Sequence, residues 1–195
     1  MPARLASALI LSLALITSAC SSPMKTPDIK QNPHPTKRYE ITMTIEDAPG
    51  PFDTITGFMQ FNIKNDSCVP ADPVSGARVT PDNNVHFVFA RVGENMYQST
   101  VYLDLMQDED YYGLGVCHWY MGAVITELKH GVVTFSPDLS SDELAKQEPK
   151  ATYFWKGDYK DISLKRSESG EMQRSNFKKD IQDELFTVTL SAKEN

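Results

Sequence analysis

Polar and apolar residues alternate from Arg38 to Glu46, with Tyr39, Ile41, Met43 and Ile45 on one side and Glu40, Thr42, Thr44 and Glu46 on the other. A period of two is that of a strand with one face buried. Ala48-Pro49-Gly50-Pro51 ends it, because proline offers no ladder donor and glycine favours a turn. A second strand is predicted from Ile55 to Ile63, where Met59, Phe61 and Ile63 face alike. Residues 69–84 hold three prolines and a glycine and read as a loop. Val85 to Val92 and Met96 to Leu105 then flank Gly93-Glu94-Asn95, the residue types of a hairpin turn.

Gly113 to Leu128 is long and apolar enough for a helix, but three glycines, each costing about 1 kcal/mol relative to alanine there, and its β-branched and aromatic residues favour strand. A turn at Lys129-His130-Gly131 leads to a strand over Val132–Phe135, and further strands are predicted at 152–155, 159–166 and 185–192. One short helix is predicted at 142–146, behind a cap at Ser140 or Ser141 and with acids in its first turn. Ser167 to Glu184 reads as an exposed loop or a frayed short helix through Phe177 and Ile181. Many short strands with almost no helix make an all-β fold, an antiparallel β-sandwich, Ig-like or similar, with one short helix and one disulfide. Residues 37–195 form its single domain.

The preceding residues read as an address. Arg4, an uncharged apolar run from Leu5 to Ile16 and the small residues Thr17, Ser18 and Ala19 lead to Cys20. The run is too short to span a bilayer, which takes about 20 residues, and has the order of a secretory signal over residues 1–19. Thr-Ser-Ala-Cys resembles the bacterial lipobox, which implies lipidation of Cys20. Thr17 departs from the usual branched aliphatic residue there, so cleavage by ordinary signal peptidase stays open. Ser21 in place of aspartate resembles the sorting pattern of outer-membrane lipoproteins, with the inner membrane as the alternative. Residues 20–36, with prolines at 23, 27, 33 and 35, read as a tether that could reach roughly 50 Å at about 3.1 Å per residue.

The net charge of −7 argues against nucleic acid as a partner and suits either plain solubility or a basic protein. Cys68 and Cys117 are the cysteines left beside Cys20, and an oxidising compartment predicts a disulfide between them, placing the stretch from Asp104 to Trp119 at the centre of the core. Asp104, Asp108, Glu109 and Asp110 could form a calcium loop, but the spacing lacks the EF-hand pattern, and a solvated turn is the plainer reading. Tyr111 and Tyr112 beside these acids suit a protein interface of aromatic anchors and charged rim, although strand tyrosines commonly bury their rings. His34, His86, His118 and His130 show no ligand spacing, and no nucleophile elbow or phosphate loop is present, so no catalytic residue, metal or cofactor is assigned. Asp158 and Asp161 are close in sequence without sign of a shared cleft.

YEITMTIEDAPGPFD from Tyr39, CVP at 68–70 and DEDYYGLGVCHW at 108–119, with the lipobox and tether, resemble small periplasmic lipoproteins of proteobacteria. Some of those are immunity partners of secreted antibacterial effectors, notably phospholipases. The resemblance implies a non-enzymatic protein on the periplasmic face of the outer membrane, held by its N-terminal lipid, that binds and neutralises an effector; Asp108, Glu109, Asp110, Tyr111 and Tyr112 are the expected contacts. The alternative is a ligand-binding or envelope-maintenance lipoprotein with Trp119, Trp155 and Tyr153 lining a pocket. The 167–184 loop is an alternative site, and the oligomeric state is open.

Overall fold

The structure is a computed structural model that describes residues 27–195. The leader, Cys20 and the first part of the tether lie outside the described residues. The chain folds in the order β1 (Arg38–Glu46), β2 (Thr54–Ile63), β3 (Asp82–Val88), β4 (Ala90–Arg91), β5 (Met96–Tyr102), β6 (Trp119–His130), β7 (Val133–Phe135), β8 (Asp138–Ser140), α1 (Ser141–Lys146), β9 (Lys150–Trp155), α2 (Lys156–Lys160), β10 (Arg166–Glu168) and β11 (Leu185–Glu194).

Two sheets result, one ordered β4-β5-β1-β11-β9 and the other β10-β7-β6-β2-β3, with β8 also paired to β6. Every pairing is antiparallel except β10 with β7. The all-β sandwich expected from the alternation is therefore the fold. β1 runs between β5 and β11, so Tyr39, Ile41, Met43 and Ile45 are all buried, and Met59, Phe61, Val124 and Leu128 answer them from the other sheet. At one end the core is aromatic: Phe135 meets Phe154 at 5.4 Å and Phe186 at 5.2 Å, both edge-on, and Phe52 closes against Tyr159 at 5.5 Å. Edge-to-face geometry places ring hydrogens on the neighbouring π face and adds to the burial energy.

The helix α1 is anchored by a reciprocal cap: the Glu143 amide donates to Ser140 Oγ, and the Ser140 amide donates to the Glu143 carboxylate at 2.8 Å. The predicted strand at 159–166 does not form. Its alternating Ile162 and Leu164 are exposed, so the period of two has no core to face. Tyr159 instead turns inward on α2 and donates its hydroxyl to the Pro51 carbonyl at 2.6 Å. Nor does strand begin at Gly113: Gly113 and Gly115 have φ of 73° and 106°, left-handed backbone that ladders exclude, and β6 starts at Trp119. The 167–184 stretch holds two 3-10 turns, at Arg174–Asn176 and Lys179–Glu184.

The proline-rich segment differs from a free tether where it is described. Gln31 bridges Met106, the Asn32 amide donates to the Leu105 carbonyl at 2.7 Å, and the Gln107 amide donates to the Lys30 carbonyl at 3.0 Å. Asp104 completes the clamp, taking the Thr36 amide and hydroxyl on Oδ2 at 2.9 and 3.0 Å and the Lys37 amide on Oδ1 at 3.0 Å. Pro33 and Pro35 carry no amide hydrogen, so Thr36 and Lys37 supply the donors that follow them. Ile29 adds an apolar contact with the core.

Burial pushes the Asp104 carboxyl up, but the hydrogen bonds from Thr36 and Lys37 outweigh it and leave the group below its ordinary value. The clamp's contribution is thus complete above the unfolded carboxylate range near 4 and is lost as pH falls through the lower folded value. Hydrogen exchange should show the amides of residues 30–37 protected at pH 7 and released at pH 2 to 3, with Asp104→Asn weakening protection already at pH 7. Equal protection in both proteins at both pH values would contradict the clamp.

Candidate functional site

The loop from Asp108 to Trp119 is held from four directions. Cys117 is bonded to Cys68, with 5.3 Å between their Cα atoms. The Cys117 amide donates back to the Glu109 carbonyl at 3.0 Å, which closes the loop on itself. Asp108 takes the Trp119 amide at 2.8 Å and lies 2.7 Å from His118 Nδ1. Asn65 donates to the Val116 carbonyl at 2.9 Å and accepts the His118 amide at 2.8 Å.

The disulfide is not at the centre of the core. It forms a separate small cluster with Ile63 and Val69, against which Tyr111, Tyr112 and Trp119 pack. The reason is the late start of β6: Cys117 precedes the strand and sits at the mouth of the sandwich.

Each residue expected at an interface has a resolved position. Glu109 is 2.7 Å from Lys30 through Oε1, a pairing that raises the lysine above its usual value. Its Oε2 is buried without a hydrogen-bond partner, as is Trp119 Nε1. Asp110 accepts the Leu114 amide at 3.0 Å and remains exposed. Tyr111 donates its hydroxyl to the Gln107 carbonyl at 2.6 Å and sets its ring edge-on to Trp119, and burial raises the Tyr112 hydroxyl. Asp108, Glu109 and Tyr111 are thus bonded mainly within the protein. The loop shows solvent a different set: Leu114 is 52% exposed, Val116 44% and the adjoining Tyr120 45%. A side chain added at Gly113 or Gly115 would meet nothing within 4 Å, so these glycines serve the backbone angles that display Leu114. The sequence carries no local sign that Leu114 and Val116 are exposed, because apolar residues among strand formers predict strand there.

Among the described residues, no three His, Cys, Asp or Glu side chains converge as metal ligands do. Both Asp104 oxygens serve the N-terminal segment. The histidines are dispersed: His34 lies in the docked segment, His86 on the exposed face of β3, His118 beside Asp108, and His130 stacks on Tyr159 at 3.9 Å.

A second feature brings together acids that are distant in sequence. Asp158, Glu168 and Glu171 line a cleft of about 160 Å³ with Trp155 and Phe177. Arg166 reaches Asp158 at 3.2 Å and Glu168 at 3.1 Å, yet burial outweighs it and raises both carboxyls. Of the aromatics considered for a pocket, Trp155 lines this cleft, Trp119 packs on the disulfide cluster, and Tyr153 faces the Arg174 guanidinium at 5.9 Å. Asp161 joins through Arg166 at 3.7 Å.

No family model, curated protein or solved structure matches this chain.

Replacing Cys68 and Cys117 together by serine should lower the unfolding free energy by about 4 kcal/mol in the chain-entropy treatment of a loop this long. Urea unfolding measures it, and exchange of the amides at 113–118 should rise by at least tenfold. A stability change below about 1 kcal/mol with unchanged exchange would assign the loop's rigidity to Asp108 and Asn65 alone.

Proposed function

We propose that this chain is a periplasmic lipoprotein, anchored in the outer membrane through Cys20, that binds and neutralises a secreted antibacterial effector. One observation carries the binding part of the reading: an exposed apolar tip, Leu114 and Val116, stands on a loop already fixed by a disulfide and side-chain hydrogen bonds. Apolar side chains on an ordered backbone bind without the cost of ordering a flexible loop, and protein interfaces draw their affinity from such central anchors. Asp110 is exposed beside the tip and gives it a charged rim. The net charge of −7 favours a basic partner and speeds its approach. The lipid anchor and the effector class rest on the sequence resemblance.

On this reading Leu114, Val116 and Asp110 touch the partner, while Asp108, Glu109 and Tyr111 hold the loop. Tyr112 packs on the disulfide cluster and supports it. A second reading, a small-ligand lipoprotein, is favoured by the cleft between Trp155 and Phe177, whose acids suit a cationic group.

The test begins with the mature chain from Cys20 as bait for products of neighbouring genes, and proceeds to Leu114→Asp with Val116→Asp. Placing charge at an interface anchor costs about 2–4 kcal/mol, so affinity for the captured effector should fall at least thirtyfold with thermal melting unchanged. Undiminished binding by a folded double variant removes the tip from the interface. Capture of no protein, together with a thermal shift given by an organic cation, transfers the assignment to the cleft.

A further inference from the structure

The two sheets present four outer edges, and three are blunted in ways that discourage further strand pairing. β4 is two residues long. β9 has its outer side occupied by Glu171, which exchanges backbone hydrogen bonds with Tyr153 at 2.8 and 2.9 Å. β10 is three residues long and carries Arg166 and Glu168. β3 has none of these devices. It runs seven residues in unbroken register with β2, contains no proline, lysine or bulge, and has Asp82 as its one carboxylate.

Beyond the ladder to β2, no hydrogen bond among the described residues involves a backbone group of residues 83–87. The side chains confirm the opening. Val85 and Phe87 of β3, and Phe89 just after it, face the core and pack on it, yet all three stay partly exposed, whereas Met59, Phe61 and Ile63 on neighbouring β2 are buried. On the outer face Val88 is 72% exposed.

We propose that β3 pairs with β3 of a second copy of this chain, antiparallel about Val85, joining two sandwiches through one continuous sheet. The strand is complementary to itself in that register. A two-fold axis at its midpoint sets Val85 against Val85, Asn84 against His86 and Asn83 against Phe87 of the second copy, and brings Asp82 opposite Val88, whose carbonyl already accepts the Ser99 hydroxyl at 3.0 Å. No carboxylate faces a carboxylate and no histidine faces a histidine. Directly opposed residues share a face, so the half-covered Val85 gains Val85 of the copy across the axis, and Phe87, opposite Asn83, reaches that same valine on the diagonal. A strand of near-neutral charge offers little to steer the basic partner proposed above, which separates this surface from the 108–119 loop.

The experiment uses the full-length chain carrying two different epitope tags, co-expressed and then solubilised from membranes. Wild-type copies should capture one another. Asn84→Lys with His86→Lys places lysines against lysines, and Asn84→Asp with His86→Asp places carboxylates against carboxylates. Each variant should lose self-capture at least tenfold, while a mixture of the two should recover it, because lysine then faces aspartate. Both substituted positions are exposed, and unchanged melting of each variant confirms the fold. Recovery in the mixture establishes both the pairing and its register. Absence of capture between wild-type copies overturns the proposal, as does self-capture by the like-charged variants or failure of the mixture to recover.

Discussion

Phe135 of β7 and Phe186 of β11 meet edge-on at 5.2 Å, and through that contact the two sheets are held to each other at the aromatic end of the sandwich. Phe154, Phe52 and Tyr159 all pack on this pair or its neighbours, and Tyr159 brings α2 with it. The chain crosses between sheets at this end, from β9 to β10 and back to β11, so the turns there take their positions from aromatic burial rather than from their own sequence. At the opposite end the aromatic residues Tyr111, Tyr112 and Trp119 pack on a small cluster around the disulfide. That end is closed by Cys68 and Cys117, a covalent link in place of a large apolar one.

The division explains which parts of the fold were legible in the sequence. Where a strand has one face on the core, as in β1 and β2, the period of two is written in the residues and the strand bounds follow from it. The same period misleads at Ile162 and Leu164, because alternation states that a face is apolar and not that anything covers it. β8 is invisible for the opposite reason: three residues hydrogen-bonded to β6 are too few to carry a pattern. The cap of α1 was readable because Ser140 and Glu143 act locally, through backbone groups three residues apart.

The candidate site was legible in its residue types and not in their use. Acids and tyrosines at 108–112 marked the loop, and the pairing of its cysteine followed from counting. That Asp108 would hold the Trp119 amide, and that Glu109 would reach Lys30, depends on contacts across 11 and 79 residues of chain that no local spacing encodes. Leu114 and Val116 were hidden by their chemistry. Apolar residues beside strand formers read as core until the backbone between two left-handed glycines turns them outward. Arg166 likewise gathers Asp158 and Glu168 only after the chain has changed sheets.

The Lys30 and Asp104 contacts also set a leash length. With the proposed lipid at Cys20, the docked segment begins by Ile29 rather than at Thr36, and the chain from Cys20 to Ile29 reaches at most roughly 32 Å. Lys30 is paired to Glu109, so the leash is fastened at the very loop that displays Leu114 and Val116. Given that lipid, the loop would stay close to the bilayer, and its effective concentration toward anything at the lipid surface would exceed that toward the open periplasm. On the proposed reading, an effector that attacks phospholipid would meet the loop in the layer it has to enter to reach its substrate.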